Sequence, residues 1–142
     1  MLQTLQVNEP LMSIRTTWIP ALGFIVSAFA VGVPYFLTPY GELNLPSALY
    51  GPELCVLVAA AALTLGCGAA PFWKGVAIFG ACIPTIIFVR VTLDTAADPT
   101  SHNLWPLEIV IGSVVGTLCA FAGALIGWIV SRLRNRSAVI AS

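Results

Sequence analysis

The stretch from Trp18 to Leu37 carries no charged residue, and three later stretches are nearly as apolar. About 20 apolar residues, rising 1.5 Å each, carry a helix across roughly 30 Å of hydrocarbon. The second stretch lies within 53–70 and centres on the apolar run Cys55 to Cys67. The third covers 72–93, charged only at Lys74 and Arg90, and the fourth covers 107–131, with Glu108 alone near its start. None of them alternates apolar and polar residues as a membrane β-strand does. Helices satisfy their backbone hydrogen bonds internally, which lipid demands. The expected fold is therefore all-α: an integral membrane bundle of four transmembrane helices, about 18–37, 53–70, 72–93 and 107–131, in one domain over 1–142.

Composition excludes the competing classes. The chain of 142 residues is 58% hydrophobic and 8% charged, against about 25% charged in soluble domains. Disorder needs low hydrophobicity and a charge excess. Six Lys+Arg balance six Asp+Glu, so no net basic field exists to attract nucleic acid. The lipid bilayer is the first partner such a chain implies.

Basic residues set the expected orientation. With four crossings, Arg15, Lys74, Arg132, Arg134 and Arg136 fall on one side. Arg90 falls on the other, with Glu42, Glu53, Asp94, Asp98 and Glu108. The Lys/Arg-rich side is cytoplasmic by the positive-inside rule. Both termini are therefore expected inside a bacterial-type inner membrane, with cytoplasmic tails 1–16 and 132–142 and external loops 38–52 and 94–106. Trp18, Trp73, Trp105 and Trp128 lie near the proposed helix ends, where indoles anchor at headgroup depth. Arg15, an apolar run and Ala28-Phe29-Ala30 also imitate a signal peptide cleaved after Ala30. Apolar sequence continuing through Leu37 favours a retained helix.

The fourth segment carries the clearest packing signal. Gly112 and Gly116 form one GxxxG, extended by Ala120, and Gly123 and Gly127 form a second. Small residues four apart let helix backbones approach closely, so these five residues are the expected helix-packing interface. It could close within the monomer, in a homo-oligomer or against another membrane protein. Pro84 removes a backbone donor in mid-segment and predicts a kink, freeing the carbonyl of Gly80 for Thr85 or a neighbouring helix to satisfy. Cys55, Cys67, Cys82 and Cys119 form no CxxC motif and read as small apolar residues.

One polar cluster stands out: Arg90, Asp94, Asp98, His102 and Glu108. Read structurally, Arg90 pairs with Asp94 one turn later, with Glu108 available to tie the third and fourth helices together. Asp98-Pro99 initiates a turn, and Glu108 sits in a first turn where an acid is favoured. A cation or proton site is a second reading, though its spacing matches no ligand pattern. Catalysis by Ser101 and His102 is a third; no GxSxG, HExxH or nucleotide-binding motif accompanies them. No charged residue falls at mid-membrane, where proton-coupled pumps place one. No catalytic residue, metal or cofactor is expected. The chain reads as a non-enzymatic accessory or partner-binding membrane component. A small transporter or channel using Pro84 and the external acids is the alternative.

Overall fold

The computed structural model describes residues 9–38, 51–97 and 104–140, with side chains over 18–38, 51–97 and 104–137. The described chain is all-helical, without strands. Five helices follow in order: α1 (Glu9–Leu37), α2 (Glu53–Gly66), α3 (Phe72–Gly80), α4 (Cys82–Ala97) and α5 (Trp105–Ile140). Three apolar stretches are long enough to cross a membrane: Trp18–Leu37, the α3–α4 unit Phe72–Ala97, and Trp105–Ser137.

Several boundaries differ from the sequence expectation. α2 has 14 residues and ends at Gly66, not 70. At 1.5 Å per residue it reaches only about 21 Å. Its stop is local: Gly68 adopts φ +73°, its N–H bonds the carbonyl of Leu65 at 2.9 Å, and the Ala69 N–H bonds that of Thr64 at 3.0 Å. This Schellman pattern closes the last turn, and a left-handed residue is the step glycine takes without strain. The third segment is two helices interrupted at Ala81, three residues before Pro84, and it continues through Asp94 to Ala97 as helix rather than loop. α1 begins at Glu9, inside the expected tail, so Pro20 lies in its interior. α5 begins at Trp105 and runs nine residues past 131. Arginines favour helix, and no proline or glycine follows Gly127 to break it.

Contacts fix the direction of each element. Val58 and Ala62 of α2 meet Gly123 and Gly127 of α5 in the same order, so these helices run parallel. Gly80 meets Gly116 while Ile87 meets Gly112, so α3 and α4 run antiparallel to α5. Gly23 meets Phe79 and Gly32 meets Ile86, which sets α1 parallel to α3 and α4. The core between them holds Leu57, Phe79, Ile83 and Ile87, all fully buried. Outward faces present Leu22, Phe29, Leu63, Phe88 and Leu118 instead of charge. That apolar exterior suits lipid as surrounding solvent.

Candidate functional site

The described side chains hold one buried cation. Arg90, midway along α4, is 5% exposed. Its Nε–H donates to Asp94 Oδ2 at 3.3 Å, the ion pair expected one turn apart. Nη1 donates to the carbonyl of Tyr35, and Nη2 to that of Thr38 at 2.8 Å. The guanidinium lies 4.7 Å from the Tyr35 ring centroid and 5.9 Å from that of Phe36.

This arrangement follows from how α1 ends. The last carbonyls of a helix have no intrahelical donors and carry the negative end of the dipole. α1 has no basic residue in its last turn, so Arg90 supplies the missing cation and donors from a neighbouring helix. Charge-assisted hydrogen bonds of this kind contribute about 1.5–3 kcal/mol each. The ring of Tyr35, near the end of α1, is the floor on which Arg90 rests. Nothing in its side chain announces that its carbonyl is the ligand.

Glu108 is 4% exposed and lies in the first turn of α5. Asp98 and His102 fall outside the described residues. Among the described residues no group of three His, Cys, Asp or Glu is disposed to hold a metal ion.

The five small residues of α5 face the chain's own helices. A Cβ on Gly116 would stand 2.7 Å from the carbonyl oxygen of Gly80, and one on Gly112 would overlap Ile87. Gly123 and Gly127 press against the carbonyls of Val58 and Ala62 in the same way. Ala120, between the rows, is fully buried. The first row therefore receives the α3–α4 junction and the second receives α2. Gly80 is the residue whose carbonyl Pro84 leaves without a partner four residues on. Thr85 turns instead to Ala81, through its N–H at 3.1 Å and its hydroxyl at 2.6 Å. The hydroxyl of Thr85 thus reinforces the helix at Ala81, while the backbone of Gly116 packs over the carbonyl of Gly80.

A further small-residue row escaped sequence reading. Gly23 and Ser27 stand four apart on α1, and a Cβ on Gly23 would lie 3.3 Å from the Thr64 hydroxyl. Ser27 and Thr64 are buried and donate their hydroxyls to the carbonyls of Gly23 and Ala60, both at 2.8 Å. The spacing Gly23-x3-Ser27 was the available signal. An apolar groove of about 340 Å³ runs between α1 and α4, lined by Phe29, Gly32, Val33, Phe36, Ile86 and Val89 among others. All four cysteines are free thiols, Cys82 buried and Cys55 and Cys67 exposed. The chain matches no family model, no curated protein and no solved structure.

Proposed function

We propose that this chain is a four-crossing protein of a bacterial-type inner membrane, with both termini cytoplasmic. In this reading it acts without catalysis, as an accessory component that binds a membrane partner. The alternating directions of α1, α2, the α3–α4 unit and α5 support the four crossings, with α2 as the short one. The placement of Arg132, Arg134, Arg136 and Lys74 at one end supports the orientation.

One observation carries the functional reading. The chain closes its own interior: the glycine rows meet the carbonyls of Gly80, Val58 and Ala62, and Arg90, Ser27 and Thr64 donate to its own backbone. Among the described residues, the surfaces left for recognition are the outward helix faces; Asp98 and His102 lie outside the described residues and enter this reading from sequence alone. Photocrosslinking residues at Phe29, Leu118 and His102 test it in native membranes. The expected result is one protein adduct, formed from one of these positions and absent at the others. Lipid adducts alone at all three positions overturn it.

The interruption at Ala81 favours a second reading, a small transporter or channel for a cation or small solute. Flux in proteoliposomes that is lost in Pro84→Ala, with assembly intact, would establish that reading in place of the first.

A further inference from the structure

α5 is longer than a bilayer requires. Its 36 residues extend about 54 Å at 1.5 Å each, against about 30 Å of hydrocarbon. Near its far end Gly127 still meets Ala62 and Gly66 of α2, and Ser131 is half-buried. Trp128 is 44% exposed, and the Arg132 guanidinium stacks 5.0 Å from its ring centroid. Every side chain from Arg132 to Ser137 is exposed. This stretch carries three of the chain's six basic residues, and no acid follows Glu108. Lys74, exposed beside Trp73, lies further back, level with Phe121, whose ring is 6.4 Å from that of Trp73.

We propose that the α5 segment Trp128–Ser137 is a binding site for anionic phospholipid headgroups. Three physical features favour this occupant over an acidic protein. From Arg132 to Arg136 the helix rises about 6 Å, matching a headgroup layer about 5–7 Å thick on each side of the hydrocarbon. At 3.6 residues per turn, Arg134 points about 200° away from Arg132 while Arg136 returns to its side. A single acidic groove meets one face of such a helix, whereas a layer of headgroups surrounds it. The guanidinium fork also fits two oxygens of one phosphodiester. The inference rests on the membrane placement of α5 and not on which side its end occupies.

The test uses the full chain, purified and reconstituted in nanodiscs of phosphatidylcholine with a minor share of phosphatidylglycerol. Native mass spectrometry counts the lipids retained on release. Wild type is expected to retain phosphatidylglycerol well above its share, less so as salt is raised. Arg132→Gln alone keeps two arginines to orient the chain during insertion and should lower the preference about fivefold; R132Q/R134Q/R136Q should abolish it. Equal preference in wild type and the triple variant overturns the proposal. So does the opposite pattern, in which wild type shows no lipid preference but binds poly-glutamate and the triple variant does not; the site then belongs to an acidic protein.

Discussion

The backbone of Gly116 in α5 lies against the carbonyl of Gly80, the group that Pro84 deprives of its helical donor, so closely that a Cβ would stand 2.7 Å from the oxygen. A glycine of one helix and the carbonyl freed by a proline of another are therefore matched across one interface.

Gly116→Ala forces this contact open, because the obstructing atom is backbone and cannot rotate away. Loss of about 1–3 kcal/mol of stability is expected, as for other overpacked sites. Gly32→Ala is the control, since its Cβ would meet Ile86 at an ordinary 3.7 Å. Unfolding of purified protein in mixed micelles should separate the two; equal stability would contradict the packing.

Arg90→Ala strips α1 of its borrowed cap and leaves Asp94 without this cation. The two bonds to α1 are charge-assisted, so a loss of about 3 kcal/mol is expected. Asp94→Asn should cost less than about 1 kcal/mol, because that side chain is 37% exposed and water screens the pair. Thermal unfolding in detergent reads both. If Asp94→Asn proves the more damaging, Arg90 is held chiefly by its ion pair and not by α1.

Gly68→Ala isolates backbone strain. Nothing lies within 4 Å of its Cβ position, yet φ is +73°. The expected penalty is about 1–2 kcal/mol, from the left-handed conformation alone. Gly68→Asn should recover part of it, because asparagine tolerates this region better. The ordering Gly, Asn, Ala in melting temperature is the check.

Much of the fold was legible where lipid imposes a simple rule. The uncharged run Trp18–Leu37 and the small-residue rows of α5 are both consequences of solvent, and both keep their place in the structure. Spacing shows that Gly116 and Gly123 share a slim face; it does not say that one meets Gly80 and the other Val58. The end of α2 was misplaced because Cys67-Gly68-Ala69-Ala70 is apolar, and hydropathy does not register a left-handed glycine. The far end of α5 was misplaced for the opposite reason: arginines mark where a segment leaves the hydrocarbon, not where its hydrogen bonding stops. The Arg90–Asp94 pair could be read from a four-residue spacing. The carbonyls of Tyr35 and Thr38 could not, since every residue carries one.

The brevity of α2 bears on how the chain is made. If α2 crosses the membrane as proposed, its fourteen apolar residues are a weak insertion signal, and the small-residue row that receives it, at Gly123 and Gly127, is synthesised late. Until then α2 has only α1 and α3 to lean on. On the four-crossing proposal the seating of α2 therefore waits for the C-terminal side, and a chain ending before Gly123 would leave the Val58 and Ala62 face of α2 uncovered.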